Sequence, residues 1–333
     1  MILQSQTAAL GAVGRRIQVQ AAFVTAQRIL ELPTPSGRAL GADLFTPTGR
    51  ARAQLVIHGA TATPARFYRA FATHLADRGI RVLTYDYRGI GRSRDGSTAD
   101  DPVQMHDWID DAAFAQRWLQ RLAPSLPTLS LGHSFGGQIA AALCPDAPAR
   151  AAITVGAQSG YLGRFPWPRR AQYWLQLHAA LPALLHGFGY LPGWSGIGED
   201  LPAGVASQWA RWCDDEQYFL SELPWLRPRL ASFGGPVLAL SFTDDALAPL
   251  GNVQWLQRQL ASATIHHHHL RPFDLGRRHV GHFGFFRPSA RAGWDLAASF
   301  IDHVVDGRGE WTAPSLDELA VLADLQHGRE AAA

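Results

Sequence analysis

One corner of the chain constrains its fold more than any other. From Thr128 to Cys144 the sequence reads TLSLGHSFGGQIAAALC. The residues before Ser134 have the apolar character of a buried strand, and those after it read as a helix. Ser134 itself stands between Gly132–His133 and Phe135–Gly136–Gly137. A strand-to-helix turn this tight forces the central residue into a strained backbone conformation. Glycines two before and two after it let the flanking segments approach without Cβ collisions. The corner therefore predicts a strand–turn–helix unit that holds a hydroxyl out at the carboxyl end of a sheet.

The rest of the chain repeats that unit. Residues 28–46 alternate as an early β-hairpin would, and AQLVIHGA, residues 53–60, is a buried strand ending at a turn. Residues 64–79 place Phe67, Phe71 and Leu75 on one helical face. A strand from Ile80 runs into the glycine-punctuated DYRGIGRS, and residues 101–122 read as a long helix with Trp108, Ala112, Trp118 and Leu122 among its apolar positions. RAAITVGAQ from Arg150 is a further strand. PVLALSFTDD from Pro236, NVQWLQRQL, ATIHHHHL and a final helix over 290–305 resume the alternation. Strand–helix alternation with short apolar strands predicts a mostly parallel, doubly wound sheet covered by helices on both faces.

Residues 159–235 break the rhythm. They are rich in Pro, Gly and aromatics and hold Trp167, Trp174, Trp194, Trp209, Trp212 and Trp225, with no strand of the sheet type. This segment reads as a helical insertion between two sheet strands. The predicted organisation is an N-terminal extension over 1–27, a core over 28–158 and 236–308, the insertion over 159–235, and a peripheral C-terminal helix and tail over 309–333, with Ser315 and Glu318 as its capping box and Gly328 as its stop.

Composition removes several chemistries. All 30 basic residues are arginine, so a Schiff-base lysine, a Walker lysine and a Ser–Lys dyad are impossible. Net charge is +2 with no basic stripe, which argues against a nucleic-acid partner. Two cysteines, Cys144 and Cys213, give neither a disulfide framework nor a Cys-rich zinc pattern. No apolar run reaches the roughly 18 residues of a membrane span, and the N-terminal arginines follow the apolar part, the reverse of a secretory signal. The expectation is a cytoplasmic protein with no metal or organic cofactor. The run His266–His269 lies on a strand, where alternate residues face opposite ways, and lacks metal-site spacing with carboxylates or cysteines.

The chemistry concentrates in three places. A serine is a poor nucleophile until a neutral imidazole takes its proton and a carboxylate fixes that imidazole's tautomer. Gly132–His133–Ser134–Phe135–Gly136 fits G-x-S-x-G, whose partners follow in the order acid, then histidine, each beyond a later strand. Asp245 follows the strand PVLALSF, and His282 lies in RHVGHFGFF before the last helix. Asp244 is the rival acid and His279 the rival base; Asp245 is favoured by the Ala246–Leu247–Ala248–Pro249 that follows it, and His282 by its Gly281–Phe283–Gly284 setting. The Phe135 N–H opens the new helix and can face a developing oxyanion. A second donor is expected after the early strand, in His58–Gly59–Ala60–Thr61: the Ala60 N–H first, Thr61 as the alternative. The glycines of Asp86–Ser93 invite a phosphate-cradle reading, but with no G-x-G-x-x-G and no lysine the loop reads as a brace for the serine corner.

These residues carry a resemblance. HGAT, YDYRGIGRS, GHSFGG, SFTDDALAP and GHFGFF occur in the order of the α/β-hydrolase superfamily and span residues 28–307. The chain is most similar to a bacterial group of predicted hydrolases related to serine aminopeptidases and monoacylglycerol lipases. The resemblance implies the α/β-hydrolase fold, with an eight-stranded, mostly parallel sheet and a helical cap inserted after strand six. One departure is that Ser241 or Phe242 stands where many members have glycine before the acid loop.

The expected reaction is cleavage of an ester, thioester or amide through an acyl-serine intermediate, carboxylic esters first. The substrate expected is a small molecule with an apolar or acyl part, met by the aromatic residues of the insertion, among them Phe165, Tyr173, Phe188, Tyr190, Tyr218 and Phe219. Acyl transfer to an alcohol uses the same triad. An aminopeptidase-like amidase would need a carboxylate for a free amine, with Glu199, Asp200, Asp214, Asp215 and Glu216 as candidates. The remaining alternative is a non-catalytic ligand-binding protein.

Overall fold

The computed structural model describes residues 26–309 and 311–314. The expected N-terminal extension over 1–27, except Ala26 and Gln27, which open the first strand, and the expected C-terminal helix, with Ser315, Glu318 and Gly328, lie outside the described residues.

Eight strands form one sheet in the order β1-β2-β4-β3-β5-β6-β9-β10. They are β1 (Ala26–Pro33), β2 (Ala39–Thr46), β3 (Ala53–His58), β4 (Ile80–Tyr85), β5 (Thr128–His133), β6 (Ala151–Val155), β9 (Pro236–Phe242) and β10 (Thr264–Leu270). β2 is antiparallel to both β1 and β4, and every other pairing is parallel. Strands β3, β5, β6 and β9 are buried almost throughout because both faces are covered. Leu55 and Ile57 of β3 pack toward α1 (Arg69–Asp77) and α10 (Arg291–Asp306), with Phe71, Leu75 and Phe300. Val56, between them, faces the opposite side with α2 (Met105–Leu122), α3 (Phe135–Ile139) and α9 (Leu250–Gln257). The sheet is therefore the middle layer of three.

Two helices are shorter than the sequence pattern predicts. α2 begins at Met105 rather than near Asp101: Asp101 precedes Pro102 and is extended, at φ −78° and ψ 114°, as a pre-proline residue prefers. Its start is fixed by a reciprocal cap between Gln104 and Asp107. α3 stops at Ile139, and Cys144, which precedes Pro145, takes φ 49°.

Between β6 and β9 the chain is mainly helical, through α4 (Arg169–Leu175), α5 (Leu181–Phe188), α6 (Ala203–Asp214), α7 (Phe219–Glu222) and α8 (Leu226–Ala231). A single π-turn, Gln176–Ala180, joins α4 to α5 into one continuous rod. The segment also holds a small antiparallel pair, β7 (Tyr190–Leu191) with β8 (Leu201–Pro202), which the sequence pattern does not announce. Two-residue strands carry no readable alternation.

Candidate active site

The carboxyl ends of β3, β5, β9 and β10 converge on one edge of the sheet, and each carries a loop of the site. Ser134 ends β5 with φ 51° and ψ −116°, a conformation that a non-glycine residue holds only when its surroundings impose it. The surroundings do so by backbone packing. A Cβ on Gly132 would run into the carbonyl of Gly136, and a Cβ on Gly136 into the carbonyl of His58. Gly136 N–H donates to Gly59 O at 3.2 Å, which ties the corner to the loop after β3. Phe135 is the first residue of α3, so its N–H has no intrahelical acceptor.

Asp245 and His282 come together. His282 Nδ1 lies 2.7 Å from Asp245 Oδ2, with both residues buried. Asp245 Oδ1 accepts the N–H groups of Leu247 (2.9 Å) and Ala248 (3.1 Å). The carboxylate is thus held by the Ala246–Pro249 loop, and with Nδ1–H donating to it, Nε2 is the ring nitrogen left to accept a proton. The two rivals pair with each other. Asp244 Oδ2 accepts from His279 Nδ1 at 2.7 Å and from the Val280 N–H at 2.9 Å, and the His279 side chain is 77% exposed.

The loop after β3 gives a different result from the one expected. The Ala60 N–H donates to the Tyr68 hydroxyl at 2.8 Å, so it is already engaged. The Thr61 N–H has no acceptor among the described residues, and Thr61 lines the same cavity as Ser134. Tyr68 was invisible as a competitor because it lies eight residues on, beyond a turn. Its hydroxyl is also 2.9 Å from His133 Nδ1, while His133 Nε2 lies 2.8 Å from the backbone carbonyl of His282. A carbonyl only accepts, so Nε2 carries the His133 proton and Nδ1 accepts from Tyr68. One line of hydrogen bonds thus runs from the Ala60 N–H through Tyr68 and His133 to the backbone of His282.

Ser134, His282, Ala60 and Thr61 open on one cavity of about 450 Å³. Its walls are largely apolar, with Leu162, Leu177, Leu181, Leu184, Ile197 and Leu247 prominent. Of the aromatics of the insertion, Phe165, Tyr173, Trp209 and Tyr218 line it. Trp167, Trp174, Phe188 and Trp194 are exposed, and Trp212 and Phe219 are packed in the core.

A family model described as serine aminopeptidase, S33, matches residues 49–187. No curated protein matches the chain closely enough to count as a relative. Among solved structures, the esterase PF2001 of Pyrococcus furiosus is 15% identical, covering 84% of this chain and 92% of that one, with a TM-score of 0.55. The acylaminoacyl peptidase of Pyrococcus horikoshii is 13% identical, covering 89% of this chain and 44% of that one, with a TM-score of 0.59. A lipase in open form is 20% identical, covering 84% of this chain and 100% of that one, with a TM-score of 0.56. The chain has the α/β-hydrolase fold.

In this fold the loop after β4 is a brace. Asp86 accepts the N–H groups of Ala65 (2.5 Å) and Arg92 (3.0 Å), and Glu199 accepts that of Gly91 (3.0 Å), so carboxylates occupy the donors a phosphate would need. Tyr87 stacks on Trp108 at 4.8 Å and meets Phe135 at 5.8 Å. None of Glu199, Asp200, Asp214, Asp215 and Glu216 lines the cavity. Among the described residues no group of three or more His, Cys, Asp or Glu could hold a metal ion, and no helix is long and apolar enough to cross a membrane. His267 Nε2 and His269 Nδ1 share the hydroxyl of Ser241, each at 2.8 Å.

Sequence reasoning overlooked Gln138 and Gln158, both buried and both at the cavity. Gln138 had a readable signal: it is the one polar side chain in GGQIAAALC, four residues beyond Ser134.

The buried histidines give the protein a definite acid sensitivity. Burial holds the His58 imidazole down at about 3, against an ordinary 6.5. Burial first, then the neighbouring His282, holds His133 well below its ordinary value. The unfolded chain therefore binds more protons than the folded one below pH 6.5, and stability falls as pH falls through that window, for His58 down to about 3. Each such histidine costs about 1.4 kcal/mol per pH unit. Buried Asp86 and Asp111, raised by burial, act in the opposite sense. The expected result is a Tm lower at pH 5 than at pH 7 by roughly 5–10 °C, with a shallower fall in His58→Gln. Equal Tm values at the two pH values would contradict it.

Proposed function

We propose that the protein is a serine hydrolase that cleaves a carboxylic ester with an apolar acyl part through an acyl-serine intermediate. The observation that carries this reading is the meeting of Ser134 and His282 at one largely apolar cavity, with His282 Nδ1 held by buried Asp245. Ser134 Oγ attacks the carbonyl carbon and its proton passes to His282 Nε2. Asp245 fixes the ring and balances the imidazolium. The N–H groups of Phe135 and Thr61 hold the oxyanion, Thr61 taking the place first expected of Ala60; one such donor contributes on the order of 10²–10³ in turnover. His282 then protonates the leaving alcohol, and water, deprotonated by the same ring, releases the acid. The esterases and the lipase among the solved structures of the same fold support the reaction class. Peptide cleavage at a free amino terminus is less well supported, because the five acidic candidates lie away from the cavity.

p-Nitrophenyl esters of increasing acyl length test the proposal. A stoichiometric burst of p-nitrophenol marks the acyl-enzyme, and kcat/KM should rise with acyl length until the cavity is filled. Folded protein with no burst and no turnover on any of these esters would overturn the reading. A flat length profile would remove the apolar acyl preference.

A further inference from the structure

We infer that the substrate of this site carries a hydrogen-bond donor, a hydroxyl or an amide N–H, close to the bond that is cleaved, and that the side-chain carbonyl of Gln138 receives it. The inference rests on the serine hydrolase reading and adds a substrate class to it. Gln138 is 2% exposed and lines the cavity together with Ser134. It lies one helical turn from the serine: the Gln138 N–H donates to Ser134 O at 3.1 Å. Side chains so related have Cβ atoms about 5–6 Å apart, a few bonds along a seated substrate.

Which end of the Gln138 amide faces its protein partners follows from the chemistry of those partners. Its nitrogen lies 2.8 Å from the backbone carbonyl of Gln158, which can only accept, so the –NH₂ must sit there. The same nitrogen is 3.3 Å from Gln158 Oε1 and 3.4 Å from the Tyr218 hydroxyl. Gln158 is fixed likewise, its own –NH₂ donating to Leu247 O at 3.2 Å. The one group unspent is Gln138 Oε1, a buried acceptor with no partner among the described residues. Buried side-chain acceptors are rarely left unmatched in native proteins. Tyr218 adds a second sign of a built site: its backbone has φ 53° and ψ −135°, a strained conformation at the wall of the same cavity.

An all-hydrocarbon chain in this cavity leaves that buried oxygen unpaired, whereas a donor in reach pairs with it. The donor can sit on either side of the scissile ester, and matched substrates tell the two apart. Ethyl butanoate is compared with ethyl 3-hydroxybutanoate, donor on the acyl side, and with 2-hydroxyethyl butanoate, donor on the alcohol side. The expected result is a kcat/KM for one hydroxylated ester roughly 10–100-fold above that of its plain partner. In Gln138→Met, which keeps the length and loses the acceptor, that ratio should fall to within about threefold of one. Wild-type protein that does not prefer either hydroxylated ester overturns the inference, as does a preference that survives in Gln138→Met. Should that variant not fold, 2-hydroxyheptan-4-one (hydroxyl on the acyl side) and 1-hydroxyheptan-4-one (hydroxyl on the alcohol side) are compared with heptan-4-one, the donor-free ketone analogue of ethyl butanoate, as protectants of wild-type protein against a fluorophosphonate: stronger protection by a hydroxylated ketone supports the inference, and equal protection by all three overturns it. The probe also separates the two levels. Labelled, active protein without a preference loses the donor but keeps the hydrolase, whereas unlabelled, inactive folded protein loses the hydrolase reading itself.

Discussion

Ser134→Ala is expected to abolish labelling by a fluorophosphonate and to lower kcat on any ester substrate by roughly 10⁵–10⁶-fold. The size follows from what the alanine removes. The variant keeps the oxyanion donors and the cavity, and those alone leave some residual acceleration over water, but no acyl-enzyme can form. Stability should change little, because Ser134 is 9% exposed and its hydroxyl makes no hydrogen bond to another described residue. The strained backbone at φ 51° is imposed by Gly132, Gly136 and the loop after β3 rather than by the hydroxyl. Wild-type Tm with no labelling and no turnover is the expected result. Persistent labelling, or loss of only a few-fold in kcat, would move the nucleophile elsewhere.

Asp245→Asn is expected to cost about 10⁴-fold in kcat, and Asp244→Asn less than about tenfold. The two residues are adjacent in sequence, yet their surroundings differ. Asp245 is buried, accepts two backbone N–H groups and holds His282 Nδ1. An asparagine there can present its –NH₂ to the imidazole, which then turns the wrong tautomer toward Ser134. Asp244 holds an exposed histidine and one N–H of the loop that leads to His282, so its loss loosens that loop without removing the orienting acid. Circular dichroism and kcat on one ester, measured for both variants, decide the matter. The reverse ranking would make Asp244 the acid and His279 its partner.

The sheet was legible because its signal is redundant. Several central strands, such as AAITV and PVLALSF, are short apolar runs bounded by turn residues, and the strand-to-helix corner at Ser134 fixes which end of the sheet carries the site. The pairing of Asp245 with His282 was legible by order and position, since each follows a later strand. The detail of the loop after β3 was not. Ala60 and Thr61 are neighbours of nearly equal promise, and what separates them is a hydroxyl from Tyr68, a contact that depends on how the following turn folds back. The start of α2 was placed too early because proline acts on the residue before it, an effect that periodicity does not carry. The insertion was legible only as composition. Its aromatics divide among cavity wall, core and surface, and spacing does not sort them.

The line of hydrogen bonds from Ala60 through Tyr68 and His133 to the His282 carbonyl contains no residue between 159 and 235. The strand that ends at Ser134 and the loop of His282 are fastened to each other on fixings that residues 159–235 do not share. On the proposed hydrolase reading, chemistry and selectivity are separable parts: this core is a chassis on which another insertion could be grafted, to change what is cleaved while leaving how it is cleaved intact.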